Sequence, residues 1–190
     1  MRHEQPNYLL FAFIDMRIFK NLLIIFFIII SANSIAQDTI HWQSNYKLMW
    51  SDFTGQPDMT SEYKAITAAD IKFILSYNNS SFDVKVDCIF DKKKSWTSRI
   101  DSIGLVHEQG HFDIAELFAR KLRKAFREYV FNPKTIESDF NKIFDSIKKE
   151  RKAFNNLYDK ETNFSRNKIK QIYWNKKIAT ELKKLEVFSK

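Results

Sequence analysis

Ile103-Gly104-Leu105-Val106-His107-Glu108-Gln109-Gly110-His111-Phe112-Asp113-Ile114-Ala115-Glu116-Leu117-Phe118 is the stretch on which the fold turns. Ile103, Val106, Gly110, Ile114, Leu117 and Phe118 recur at spacings of three and four, the period of an amphipathic helix. His107 and His111 are four apart, so on that helix they lie one above the other on a single face. At roughly 100° per residue they sit about 40° and 80° from Ile103, at the edge of the apolar stripe, where a helix borders a cleft. Two imidazoles so placed can share one tetrahedral zinc ion. Glu108 points beside the pair rather than at the ion, where a carboxylate can take a proton from a water that the metal acidifies. The plainer use of the same residues is a hydrogen-bonded histidine pair in a core.

Outward from this helix, the preceding half of the chain reads as strands and the following half as helices. Tyr46-Lys47-Leu48-Met49-Trp50 predicts a short strand, closed by a turn over Ser51-Asp52-Phe53-Thr54-Gly55-Gln56-Pro57. Ile71 to Tyr77 and Phe82 to Phe90 flank Asn78-Asn79-Ser80-Ser81 and predict a β-hairpin. Its second strand alternates apolar and polar residues, which calls for one buried and one wet face. Helices are expected at about Ser102 to Tyr129, Pro133 to Asp159 and Asn163 to Val187, with Pro133 in a first turn where no N–H is needed. The expected class is α+β: a small antiparallel sheet packed on about three helices.

The beginning of the chain predicts export. Arg17 and Lys20 precede the apolar run Leu22-Leu23-Ile24-Ile25-Phe26-Phe27-Ile28-Ile29-Ile30, and Ser34-Ile35-Ala36-Gln37 follows as a small-x-small site. These are the parts of a signal peptide, with cleavage expected after Ala36 and Met16 a natural start. The run is short for a membrane span, which needs about 20 apolar residues. Residues 37–190 suit one domain with one core, secreted or periplasmic. The leader holds three basic and two acidic residues, so its removal lowers the net charge of +8 by one. The excess is concentrated from Lys148 to Lys190 and reads as a solvated helical face; no groove-reading motif accompanies it, which argues against nucleic-acid binding. Cys88 is the only cysteine, so no intramolecular disulfide supports the fold, and its place in an alternating run marks it as a small core residue. Nothing in the sequence indicates an oligomeric state.

Several blocks resemble a known family. Trp50-Ser51-Asp52-Phe53-Thr54-Gly55-Gln56-Pro57, Ser95-Trp96, and above all His107-Glu108-Gln109-Gly110-His111-Phe112-Asp113-Ile114-Ala115-Glu116 with Ala119-Arg120 are similar to a bacterial family of predicted secreted zinc-dependent proteases, catalogued as domain of unknown function 922. The resemblance covers nearly the whole chain after the leader. It implies a zincin-like helix, one zinc ion on His107 and His111, Glu108 as base, and a protein or peptide substrate. Tyr158-Asp159-Lys160-Glu161-Thr162-Asn163-Phe164-Ser165, leading to Gln171 and Trp174, is similar to a further family block, in which a histidine tends to stand where this chain has Phe164.

Zinc needs a third protein ligand. Leu117 occupies the position where a metzincin would place another histidine. Glu116 falls about 160° from the midpoint of the two histidines. Asp113 fails for the same reason, and both read as supporting groups, with Glu116 able to pair with Arg120. If the family's histidine is a ligand, Phe164 cannot replace it, because a phenylalanine has no lone pair. Either Asp159 or Glu161 then completes a His-His-carboxylate site, or the site is weakened or dead. His41 is a remote candidate near the new amino terminus. Tyr158 and Arg120 are candidates, by residue type only, for stabilising an oxyanion. The expected function is therefore a secreted zinc metallopeptidase; the alternative is a catalytically inactive metal-binding relative acting as an extracytoplasmic binding module.

Overall fold

The computed structural model describes residues 38–190. The expected leader and its cleavage site after Ala36 lie outside the described residues. The strands are β1 (Thr39–His41), β2 (Ala65–Ile66), β3 (Ala69–Tyr77), β4 (Phe82–Asp91) and β5 (Trp96–Thr97), and the helices are α1 (Ser102–Arg127), α2 (Ile136–Thr162) and α3 (Lys168–Lys184). Single 3-10 turns stand at Trp50–Asp52 and Glu186–Phe188. The class is α+β, a small antiparallel sheet with three helices.

The hairpin forms because its two faces differ. β3 and β4 pair from Ala69 opposite Phe90 to Tyr77 opposite Phe82. Asn78 closes the loop, its Oδ1 accepting from the backbone N–H groups of Ser80 and Ser81 at 2.7 and 2.9 Å. Val86, Cys88 and Phe90 turn inward from β4 and Ile71 from β3, while Asp70 and Lys72 face water. β1 adds on the other side of β4, giving the order β1-β4-β3. An aromatic cluster fills the space between sheet and helices: Phe73 meets Phe126 and Phe144, and Phe126 stacks on Phe140 with centroids 4.0 Å apart.

α1 begins where Asp101 accepts the N–H of Gly104 at 2.7 Å, an N-cap. Its apolar stripe is wider than its periodicity suggests. Every residue from Ile114 to Arg120 is buried, because β4 covers one side while α2 and α3 cover the others. The two buried charges in that run are paired: Arg120 Nε donates to Glu116 at 3.0 Å and Arg123 joins them at 2.9 Å. Arg120 also donates to the Leu182 carbonyl, and Arg123 to those of Val86 and Phe188. This ties α1 to α3, to β4 and to the carboxy-terminal turn.

Three expectations are corrected. Tyr46 to Trp50 is not a strand: its alternation puts Leu48 inside and Met49 outside, yet the Leu48 N–H goes to the Gln109 side chain at 2.8 Å rather than to a neighbouring strand. The chain then enters the 3-10 turn, held by Asp52, whose Oδ2 accepts from the Met49 N–H and the Tyr46 hydroxyl. Pro133 precedes its helix instead of opening it, since a turn with backbone bonds to Asn132 O delays α2 to Ile136. The third helix starts at Lys168 and not at Asn163, because α2 runs on to Thr162 and ends in three successive left-handed residues, Asn163, Phe164 and Ser165 (φ 49°, 51° and 70°). β2 and β5, two residues each, carry too short a pattern to be read as strands.

Candidate metal centre

α1 and α2 cross with their polar residues facing each other. From α1 come His107, Glu108 and His111, and from α2 come Asn155, Tyr158 and Asp159. Asp159 Oδ1 lies 3.1 Å from His107 Nε2 and 3.0 Å from His111 Nε2. The donor atoms of these three side chains lie within 4.8 Å of one another, the sole group of three potential ligands among the described residues.

The other ring nitrogens are held from behind. His107 Nδ1 donates to Gln171 Oε1 at 3.1 Å, and His111 Nδ1 to Asn155 Oδ1 at 3.0 Å. Gln171 cannot present its amide the other way round, because its Nε2 already donates to the Tyr158 hydroxyl at 2.7 Å and to Asn175 at 2.8 Å. A neutral imidazole with its Nδ1 proton so placed turns its Nε2 lone pair toward the Asp159 carboxylate oxygen. Such a contact needs either a cation among the three acceptors or a proton on Nε2. Two ligands bound at about 2.0–2.1 Å to a tetrahedral ion are themselves about 3.3 Å apart, close to the 3.1 and 3.0 Å between Asp159 Oδ1 and the two Nε2 atoms. The donor set of two imidazoles and a carboxylate thus fits zinc.

Without an ion, protons on the histidines meet that need. Burial would push the Asp159 carboxyl up, but hydrogen bonds from His107 and His111 and their charge outweigh it and hold it down at about 2. Burial would lower His111, yet its bond to Asp159, the nearby Glu108 and Asp159 charges and the Asn155 contact raise it instead. Tyr158 lies beneath the pair, stacked on His107 with centroids 4.6 Å apart and bonded through its hydroxyl to the His107 carbonyl. Burial raises its pKa, so it stays a neutral hydrogen-bonding platform. Gly110 makes the approach possible: a Cβ there would overlap the Tyr158 hydroxyl.

Glu108 is buried to 6 % exposure but reaches a cleft of about 640 Å³ that His107, His111 and Asp159 also line. Thr67, at the end of β2, donates from Oγ1 to Glu108 Oε2 at 2.7 Å and fixes the carboxylate. Phe164, Ser165, Arg166 and Lys168, just beyond α2, line the same cleft.

Of the proposed ligands, His107, His111 and Asp159 come together. Glu161 does not: its Oε2 accepts from Trp174 Nε1 at 3.0 Å and from Lys170 at 3.4 Å. Phe164 stands at the cleft wall, against Tyr63 at 5.8 Å between ring centroids, and the three donors that converge come from other positions. His41 is on β1, 3.7 Å from Asp87 and away from the site. Arg120 is enclosed in its ion pair and Tyr158 is sealed under the histidines, so neither is free to meet an oxyanion. Asp113 accepts from Trp42 Nε1 and Gln109, and Glu116 pairs with Arg120, both as supporting groups. Sequence reasoning missed Thr67 and Asn155. Asn155 precedes Asp159 by one helical turn and would have followed once Asp159 was chosen; nothing local marks Thr67.

The model of a bacterial protein family of unknown function, DUF922, matches residues 31–166, well over half of the chain. No curated protein and no solved structure matches it.

Proposed function

The chain belongs to the DUF922 family, and on that premise we propose that it is a zinc-dependent metallopeptidase in which His107, His111 and Asp159 hold the ion and Glu108 is the general base. The observation that carries this reading is the convergence of one Asp159 oxygen on both Nε2 atoms, beside a carboxylate at the edge of a cleft. Bound zinc would supply a Lewis acid that polarises the scissile carbonyl and brings the pKa of water near 7. Glu108, steadied by Thr67, takes the proton from the attacking water as the new carbon–oxygen bond forms. It then returns that proton to the amine nitrogen as the carbon–nitrogen bond breaks. Gln171 and Asn155 keep the imidazoles in the tautomer that leaves Nε2 free.

A peptide substrate suits the cleft because β2, which lines it, has a strand partner on one side only among the described residues. An extended chain can add hydrogen bonds along such an edge. The decisive experiment pairs metal analysis with hydrolysis. Wild type should bind one zinc per chain and cut peptides, while Glu108→Gln should keep the zinc and lose at least about a hundredfold in rate. A wild type that binds zinc yet cuts no peptide would sink the catalytic reading. Export is part of the proposal, and amino-terminal sequencing of the protein recovered outside the cytoplasm should begin at Gln37.

A further inference from the structure

The cleft carries charge that neither the metal group nor the base uses. Outside the His107, His111, Asp159 and Glu108 set, its walls hold Lys64, Arg99, Arg166 and Lys168 against Glu62 and Asp101. Arg99 and Asp101 neutralise each other, with Nε 3.2 Å from Oδ2, and Asp101 is also the cap of α1. Lys64, Arg166 and Lys168 form no ion pair with any carboxylate of the described residues, and Glu62 alone opposes them. Zinc, two neutral imidazoles and two carboxylates sum to no net charge. The cations on the walls therefore set the sign of the potential in the cleft, where low-dielectric walls focus it.

The backbone that carries these cations is tied to the site. Lys64 is three residues before Thr67, the group that holds Glu108, and its carbonyl accepts the Ser98 N–H at 2.8 Å. Arg166 and Lys168 follow the left-handed run Asn163–Ser165. That loop is closed onto the end of α2: Phe164 N–H donates to the Asp159 carbonyl at 3.0 Å, Arg166 N–H to Asn163 at 3.1 Å and Asn167 N–H to Thr162 at 2.8 Å. Three successive non-glycine residues at positive φ cost free energy, and such strain persists where the surroundings fix the backbone. The two walls meet where Tyr63 touches Phe164, each aromatic followed within two residues by a cation.

From this charge arrangement we infer that the cleft selects substrate segments bearing carboxylate side chains, acidic peptides, through Lys64, Arg166 and Lys168. The inference rests on the peptidase reading for its catalytic consequence, but its binding can be measured apart from catalysis. Zinc-loaded Glu108→Gln is titrated with labelled peptides identical except for Glu, Gln or Lys at randomised positions. The Glu series should bind at least about tenfold more tightly than the Lys series, with the gap narrowing as salt rises. Reversing all three cations, as Lys64→Glu, Arg166→Glu and Lys168→Glu, should abolish or invert the preference, while Lys64→Arg, Arg166→Lys and Lys168→Arg together should retain it. All three side chains are exposed, so these changes leave the core intact, which circular dichroism and zinc content verify. Equal binding of Glu and Lys peptides, no binding of either, or an undiminished preference in the reversed variant overturns the inference. Acidic peptides that bind but are not cut by zinc-loaded wild type would leave charge selection standing and remove the peptidase reading. Cutting of Glu and Lys peptides at equal rates would do the opposite.

Discussion

Asn155 and Gln171 touch no proposed ligand atom that faces the metal, yet each decides what its histidine can do. An imidazole with Nδ1–H donated to a fixed carbonyl oxygen has its Nε2 lone pair available and its ring plane set. Asn155→Ala and Gln171→Leu should each weaken zinc affinity about 10- to 100-fold, read by competition with a chromophoric chelator. Glu161→Gln is the matched control. Its carboxylate serves Trp174 and Lys170, so zinc affinity should stay within about twofold of wild type. A large loss for Glu161→Gln would mean that the ligand has been misassigned. Asp159 and Glu161 were equal candidates by type and proximity; helical phase separates them, since two residues along α2 turn a side chain through about 200°.

Contact between α1 and α2 at Gly110 is the element-scale condition for the site. Tyr158 stacks on His107 only because no Cβ intervenes, and in Gly110→Ala the new carbon would lie 2.7 Å from the Tyr158 ring carbon Cζ. Tyr158 is fully buried and has no room to retreat, so the helices must separate. The expected cost is about 1–3 kcal/mol in denaturant unfolding. Zinc affinity should fall with it, because Asp159 is carried by the displaced helix. Stability unchanged from wild type would show that α2 yields without strain. The extent of α1 was legible from its period, whereas the left-handed end of α2 was not. Asn163 is an ordinary C-cap residue, but Phe164 and Ser165 adopt positive φ against their own preference.

At the scale of the molecule, the buried Glu116, Arg120 and Arg123 group joins β4, α1, α3 and the carboxy-terminal turn without touching the candidate ligands. Glu116→Ala leaves two guanidinium groups in the interior with no carboxylate, a change that costs about 3–5 kcal/mol. Thermal or urea unfolding should record that loss, and the surviving folded fraction should still take up zinc. A variant as stable as wild type would mean that water reaches the pair. Among the described residues no helix is long and apolar enough to cross a membrane. The core holds the lone Cys88, whose thiol burial pushes up in pKa, in keeping with a packing role.

Local order in the chain determined the hairpin, α1 and the pairing of His107 with His111, because alternation, capping and a four-residue helical spacing act between residues close in sequence. Tertiary structure alone decided that Asp159 meets the two imidazoles, that Thr67 holds Glu108, and that Lys64 and Arg166 line one cleft. Those partners lie tens of residues apart, and their meeting depends on how the helices cross and how the loops close over them. Hydrophobic burial fixes that crossing through many small contacts, and no single stretch of sequence encodes it.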